Sequence, residues 1–129
     1  MLRYFNLWLS IGWLMVIAIC YVSLTPSPPG FNINVAYLDK MEHFTSYFIL
    51  MFWFSQLYET NKSRLIYVLS FIFMGIVIEV LQGLGGVRYF EYYDMLANTL
   101  GIIAAWFIAK GRFKFLLISF EENFLNKTI

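Results

Sequence analysis

The chain has 129 residues, of which 60% are hydrophobic and only 13% are charged, and its formal net charge is +1. Soluble globular proteins carry about 25% charged residues, so this composition excludes an ordinary soluble domain and indicates a membrane protein. The nearly neutral charge argues against nucleic-acid binding, which needs a basic surface. The length suits one small domain over residues 1–129 with at most four helical spans, at about 20 residues for each crossing.

The first predicted element is an apolar span without charges over residues 7–24. It lacks the short apolar core and the small-residue cleavage site of a secretory signal, so we expect a retained transmembrane helix. The sequence Thr-Pro-Ser-Pro-Pro-Gly over residues 25–30 ends this helix, because proline lacks an amide donor and glycine tolerates positive φ. A loop then continues to Leu38.

Three further spans follow, and the first of them begins behind an acidic residue. Asp39 suits the positive end of a helix dipole and opens a span over residues 41–58. A polar connector leads to a span over residues 65–84, and a link rich in glycine and aromatic residues leads to a span over residues 94–109. Alternating basic and aromatic residues at the C-terminus predict a short interfacial helix. The expected fold class is all-α, a polytopic membrane protein with four transmembrane helices in a compact bundle.

Positive charges divide unequally between the two sides of this predicted bundle. Seven of the nine Lys and Arg residues lie on the side of the two termini, and only Lys40 and Arg88 lie on the other side. The positive-inside rule therefore predicts that the N and C termini are cytoplasmic. The outer side carries five acidic residues against two basic ones, so it is mildly acidic.

Polar side chains recur at helical spacing near the outer ends of three spans. Residues three or four apart share one face of a helix, and polar groups inside a membrane turn away from lipid toward one another. We therefore expect one outward-facing polar pocket between these helices. Its predicted members are Asp39, Lys40 and His43 on the second span, Glu79 and Gln82 on the third, Arg88 in the link, and Asp94 and Asn98 on the fourth.

The chemistry of these side chains predicts two kinds of role in the pocket. Candidate catalytic groups, which would act as acids, bases or ligands, are Glu79, Asp94 and His43. Whether the protein is an enzyme stays open, because no Ser or Cys nucleophile lies at a reliable spacing from the histidine. Candidate substrate-binding residues are Arg88, Lys40, Gln82, Asn98 and Asp39.

Structural interpretations and a metal site remain as alternatives for the same residues. Glu79 could be a buried carboxylate paired with Arg88, and Asp39 with His43 could be a satisfied pair. Asp39 and His43, with a carboxylate from a neighbouring helix, could also hold a divalent cation of the zinc or manganese type. The sequence leaves these alternatives open.

Four motifs in a fixed order carry a resemblance to a known family. They are Ser23-Leu-x-Pro26, Asp39-Lys40-x-x-His43-Phe44-x-x-Tyr47, Glu79-x-x-Gln82, and Arg88-x-x-Glu91-x-x-Asp94-x-x-x-Asn98-x-x-Gly101. With these motifs the chain resembles the VanZ-like family of small bacterial membrane proteins. The resemblance implies a four-helix protein of the bacterial inner membrane, and the family's founding member is associated with resistance to the glycopeptide teicoplanin. It implies no agreed reaction.

Together the residues and the resemblance predict a cell-envelope protein with membrane lipids as partners. Its polar pocket would bind or process an envelope lipid or a lipid-linked glycan, with a link to glycopeptide resistance. One alternative is a small transport or accessory subunit in which the same carboxylates handle protons or cations. Another is a structural partner of a larger membrane complex, and an oligomer is compatible with each of these functions.

Overall fold

A computed structural model describes residues 2–25, 36–85, 92–111 and 113–125, with the backbone alone described for residues 36–39. Over these residues the fold is all-helical, as predicted. Three of the predicted spans fall within long helices, and the span predicted over residues 41–58 extends one residue beyond the helix that contains the rest of it. The four long helices are α1 (Phe5–Leu24), α2 (Ala36–Leu57), α3 (Asn61–Leu84) and α4 (Tyr92–Lys110). The predicted C-terminal helix is present as α5 (Leu116–Phe120), which continues into a π-helical turn (Glu121–Leu125).

Two of the four long helices are long and apolar enough to cross a membrane. They are α1 and α3, with mean hydropathies of 2.1 and 2.2. Helices α2 and α4 have similar lengths of 22 and 19 residues, but polar residues in their first turns lower their hydropathy. The described part of the chain therefore contains two candidate membrane spans within a four-helix arrangement.

Helices α1 and α3 run in one direction, and α2 and α4 run in the other. At one end of the bundle, the contacts of the buried Arg64 show that the start of α3 lies beside the ends of α2 and α4. Its Nε atom donates to the carbonyl oxygen of Tyr58 at 2.6 Å, and its Nη1 atom donates to that of Ala109 at 3.4 Å. These carbonyls lie at the ends of α2 and α4, so one guanidinium satisfies two helix C-termini. We call the end where α1 and α3 begin the lower end, and the end where α2 and α4 begin the upper end.

Helices α2 and α4 approach each other closely at Gly101. A Cβ atom at this position would lie 2.3 Å from the carbonyl oxygen of Phe44 and 3.2 Å from the amide nitrogen of Phe48. No side chain fits at that distance, so glycine permits the backbones to touch, as small residues do between membrane helices. The contact brings the first two turns of α4 directly against α2.

Aromatic residues fill the lower half of the bundle. The Phe54 ring is fully buried, and its centroid lies 4.8 Å from that of Tyr67 and 5.1 Å from that of Phe71 on α3. A Cβ atom at Gly12 would lie 2.9 Å from the same phenylalanine ring, so this glycine lets α1 close over the core. Aromatic packing thus holds α1, α2 and α3 together below the polar residues of the upper end.

The outside of the bundle is apolar, whereas many of the buried side chains are polar. Leu14, Ile17 and Phe73 are each more than 60% exposed. Soluble proteins show the reverse distribution, with Lys, Glu, Arg and Asp almost never fully buried. The buried polar and charged residues are Ser55, Gln56, Arg64, Glu79, Gln82, Asp94, Asn98 and Glu121.

Candidate functional site

The candidate site lies at the upper end, where the polar faces of α2 and α4 meet. Lys40 on α2 donates through Nζ to the Oδ1 atom of Asp94 on α4. The His43 ring reaches two residues of α4, because its Nε2 atom lies 3.5 Å from Asp94 Oδ2 and its Nδ1 atom lies 3.0 Å from Asn98 Oδ1. The four side chains thus form one connected cluster, which we call the Asp94 cluster.

Burial and charge determine what the Asp94 cluster can do. Asp94 is 6% exposed and Asn98 is 3% exposed. The charges of Lys40 and Asp94 offset each other, which reduces the cost of keeping a carboxylate away from water. His43 joins this pair to an amide, so donors and acceptors alternate along the cluster. Such an arrangement can bind a polar ligand group or move a proton through the imidazole.

Helix α3 adds a second buried carboxylate on the third side of the site. Glu79 is 1% exposed and lies one turn after Gly75 on the same helix. A Cβ atom at Gly75 would lie 3.2 Å from Asn98 Nδ2 and 3.5 Å from Tyr47 Cε1, so α3 packs tightly against both other helices at this level. Glu79 lies on the same face of α3 as Gly75, which is the face that packs against Tyr47 and Asn98. The structure therefore brings together polar residues of three helices.

Gln82 contacts α1. Its Nε2 atom donates to the carbonyl oxygen of Ser23 at 2.6 Å, and its side chain is 1% exposed. This bond joins the ends of α1 and α3, so the immediate contact of Gln82 is structural. Its predicted role in substrate binding stays a prediction.

Two of the predicted site residues lie beyond what the structure describes. Arg88 is outside the described residues, and the side chain of Asp39 is not described. The predicted pairing of Arg88 with Glu79 and the predicted metal pair of Asp39 and His43 stay predictions. Among the described residues, no group of three or more His, Cys, Asp and Glu side chains could hold a metal ion.

Glu121 is a buried carboxylate that the sequence analysis did not single out. It accepts hydrogen bonds from the backbone nitrogens of Arg3 at 2.7 Å and Tyr4 at 3.0 Å, and from Trp8 Nε1 at 2.5 Å. Burial acts to raise the pKa of Glu121, but these bonds outweigh burial and hold the pKa below its ordinary value. The carboxylate therefore caps the start of α1 from the C-terminal segment.

Gln56 is a second buried polar residue of the lower end. Its Nε2 atom donates to the carbonyl oxygen of Phe113 at 2.7 Å, and its Oε1 atom accepts from the backbone nitrogen of Leu117 at 3.2 Å. The amide thus joins the end of α2 to the C-terminal segment. The available sequence signal for Gln56 was a polar residue within an aromatic stretch, whereas Glu121 is followed by Glu122 and Asn123 and the sequence did not distinguish it from them.

Comparison with known proteins identifies one family. A family model described as VanZ/LLP1 matches residues 5–117. That range contains α1 to α4 and every residue of the Asp94 cluster. No curated protein and no solved structure matches the chain.

Proposed function

The chain belongs to the VanZ/LLP1 family, and on this basis we propose that it binds or processes the head group of an envelope lipid or a lipid-linked glycan. The observation that carries this proposal is the burial of Glu79, Asp94 and Asn98 on α3 and α4, inside a bundle with an apolar surface. His43 of α2 contacts Asp94 and Asn98, and its side chain is 12% exposed. Polar groups at such a position are costly in lipid and mark functional sites.

The proposed setting is the bacterial inner membrane, with four spans and cytoplasmic termini. The apolar exterior of the bundle supports the proposal that lipid surrounds it on all sides. The packing of α2 and α4 with the two apolar helices supports the proposal that all four helices cross the membrane. More Lys and Arg residues belong to the lower end, and by the positive-inside rule this supports a cytoplasmic lower end. The Asp94 cluster then opens toward the outer leaflet.

The side chains of the site match the chemistry of a lipid head group. Lys40, with Arg88 as predicted, would attract a phosphate or another anionic group. The imidazole of His43, which already contacts Asp94, would act as a general acid or base toward the ligand. In a processing reaction the nucleophile would be a water activated by Glu79 or Asp94.

The proposal is tested by measuring which lipids the purified protein retains. Native mass spectrometry of protein extracted in mild detergent would compare wild type with Glu79→Gln and Asp94→Asn. We expect both variants to reach the wild-type level in the membrane and to lose roughly tenfold or more of the retained lipid, because about 1.4 kcal/mol of binding energy corresponds to a factor of ten. The exposed Glu122 on the C-terminal segment supplies the control, and Glu122→Gln should retain lipid as wild type does.

Failure of the variants to accumulate in the membrane, with normal lipid retention in the fraction that folds, would favour a structural partner of a larger complex. Glycopeptide susceptibility offers a cellular readout for the proposed link to resistance. Expression in a susceptible host should raise the inhibitory concentration of teicoplanin, and Glu79→Gln should abolish that rise.

Proton or cation transport is a second candidate function, and the contacts of His43 favour it. One imidazole joins the carboxylate of Asp94 to the amide of Asn98, which is an arrangement that can pass a proton. Reconstituted vesicles with an internal pH dye distinguish the candidates. A proton flux that Asp94→Asn abolishes would favour transport over head-group binding.

A further inference from the structure

The hydroxyl of Tyr47 is buried and has no hydrogen-bond partner among the described residues. The side chain is 2% exposed, and its oxygen is unpaired. A buried tyrosine hydroxyl normally has a partner, because its burial without one loses the hydrogen bonds that water provided. Such a group calls for an explanation beyond packing.

The surroundings place this hydroxyl beside the Asp94 cluster. Tyr47 lies one helical turn after His43 on α2, so it occupies the next level below the imidazole. Its ring is packed at Gly75 of α3, where a Cβ atom would come within 3.5 Å of Cε1. Glu79 lies one turn after Gly75 on the same face of α3, so its carboxylate is on the side of that helix that packs against Tyr47.

Packing alone does not explain a tyrosine at this position. A phenylalanine would fill the same space and would leave no buried oxygen unpaired. Two other buried polar atoms lack a partner in the described part of the chain, Ser55 Oγ and Trp106 Nε1. Both belong to the lower half of the bundle, whereas Tyr47 adjoins the proposed site.

A phenol and a carboxylate together offer complementary hydrogen bonds. The Tyr47 hydroxyl can donate, and a carboxylate can accept several bonds, so Glu79 has acceptor capacity beyond the interactions it already makes. The Tyr47 hydroxyl does not hydrogen-bond the Glu79 carboxylate, although both groups lie where α2 packs against α3. A ligand hydroxyl is the group that satisfies both, because it accepts one bond and donates another.

We propose that Tyr47 and Glu79 recognise a hydroxyl group of the bound head group, so that the site selects lipids with polyol or sugar head groups. This inference rests on the proposed function, since it names the substrate class of the same site. A site built to hydrogen-bond a ligand hydroxyl rejects the analogue that lacks it, because its own polar groups are then left unpaired.

The test uses two lipids that differ only in head-group hydroxyls. Phosphatidylglycerol and phosphatidylpropanol carry the same phosphodiester charge, but the second lacks the two glycerol hydroxyls. Titration of each lipid into the detergent-solubilised protein, followed by native mass spectrometry, gives their relative affinities. We expect wild type to prefer phosphatidylglycerol by about tenfold, which is about 1.4 kcal/mol, and Tyr47→Phe to bind both lipids equally.

Thermal unfolding without added lipid distinguishes a ligand-binding tyrosine from a structural one, because loss of a structural hydroxyl would lower the melting temperature. Tyr47→Phe removes an unpaired buried oxygen, so its melting temperature should equal or exceed that of wild type. Tyr67→Phe is the matched control, because the Tyr67 hydroxyl donates to that of Tyr58 at 3.0 Å in the lower half. This control should unfold at a lower temperature and keep the wild-type lipid preference.

Equal binding of the two lipids by wild type, or a preference that Tyr47→Phe leaves unchanged, would overturn the inference while the proposed function stands. Failure of wild type to bind either lipid would overturn both. A lower melting temperature of Tyr47→Phe with an unchanged preference would show that the hydroxyl is structural.

Discussion

Asp94 is the residue on which most contacts of the site converge. Its two carboxylate oxygens face different partners on α2, with Lys40 at Oδ1 and His43 at Oδ2. Removing one member of such a pair leaves the other without its counter-charge, whereas removing both leaves an apolar contact. Single and double substitutions of Lys40 and Asp94 can therefore separate an effect on stability from an effect on function.

We predict that Asp94→Leu lowers the free energy of unfolding by about 2 kcal/mol, a value below that of a fully buried pair because the Lys40 side chain is 26% exposed. The double variant Lys40→Met with Asp94→Leu should recover most of this loss and should still fail to retain lipid. Denaturation of the purified variants measures the first effect, and native mass spectrometry measures the second. Recovery of lipid retention in the double variant would show that the pair serves folding alone.

Glu121 leads to a prediction about pH. Its folded pKa lies below the ordinary value of 4.5, so its carboxylate stabilises the folded state above that pH, and the contribution is lost as the pH falls through the folded pKa. Glu121→Gln should cost about 1.5 to 3 kcal/mol at pH 7, the range for hydrogen bonds to a charged group. Thermal unfolding at pH 7 and below pH 4 would show a difference between wild type and variant that shrinks in acid. The neighbouring exposed Glu122 provides the control, and Glu122→Gln should leave both curves unchanged.

The identities of the buried upper-end residues were accessible from the sequence, but their partners were not. Polar residues in apolar helices must find polar surroundings, which is why Glu79, Asp94 and Asn98 could be predicted to lie inside. Helical spacing could not show that Lys40 would pair with Asp94, because that contact depends on how α2 and α4 are placed against each other. The spacing of polar residues likewise could not show that the buried hydroxyl of Tyr47 lacks a hydrogen-bond partner.

Among the elements, the α2–α4 pair determines the geometry of the site. The two helices run side by side in the same direction, and their backbones touch at Gly101 one turn after Asn98. A shift of either helix would separate His43 from its two partners on α4. The glycine is therefore a positioning element for the Asp94 cluster.

We predict that Gly101→Ala destabilises the protein by at least about 1 to 3 kcal/mol, because the added carbon would meet a backbone oxygen of Phe44 that cannot move alone. It should also reduce lipid retention, since the helices must separate. Gly111→Ala is the control, because a Cβ atom there has 3.9 Å to its nearest neighbour. Denaturation and native mass spectrometry of both variants test this, and equal stability of the two would contradict a close α2–α4 contact.

The apolar runs, and the polar, proline and glycine residues that separate them, predicted that the helices exist. The residues at which the helices begin and end depend on capping. Helix α3 begins at Asn61, four residues before the predicted span, because the Thr60 hydroxyl accepts the backbone N–H of Ser63 at 3.2 Å. Helix α2 begins at Ala36, before the acidic residue expected to open it. Hydrophobic runs mark the membrane-depth part of a helix and leave out the polar turns that extend it.

At the scale of the whole molecule, eight polar or charged side chains are buried in the described part of the chain, while many large apolar side chains are exposed. This distribution agrees with a lipid surrounding, and the VanZ/LLP1 family match covers the entire four-helix region. The composition predicted a membrane environment, and the unequal distribution of Lys and Arg residues predicted that both termini are cytoplasmic. The arrangement of four helices around one polar site required the three-dimensional structure, because it depends on close approaches at single glycines.

We predict that cysteine labelling from outside intact cells reaches position 27 but not position 63. In a Cys20→Ser background, Ser27→Cys lies in the segment that the sequence predicts as an outer loop, and Ser63→Cys lies in the first turn of α3. A membrane-impermeant maleimide should label the first variant alone, and permeabilised cells should label both. Labelling of position 63 but not of position 27 in intact cells would reverse the proposed topology.

The most direct test of head-group binding at the upper end is photo-crosslinking with a phospholipid that carries a diazirine on its head group. After irradiation in nanodiscs, peptide mapping would locate the attachment sites. Cross-links concentrated within residues 36–47 and 92–101, and lost in Glu79→Gln, are the predicted result. Cross-links spread over both ends of the bundle, or unchanged in that variant, would contradict a head-group site built on the Asp94 cluster.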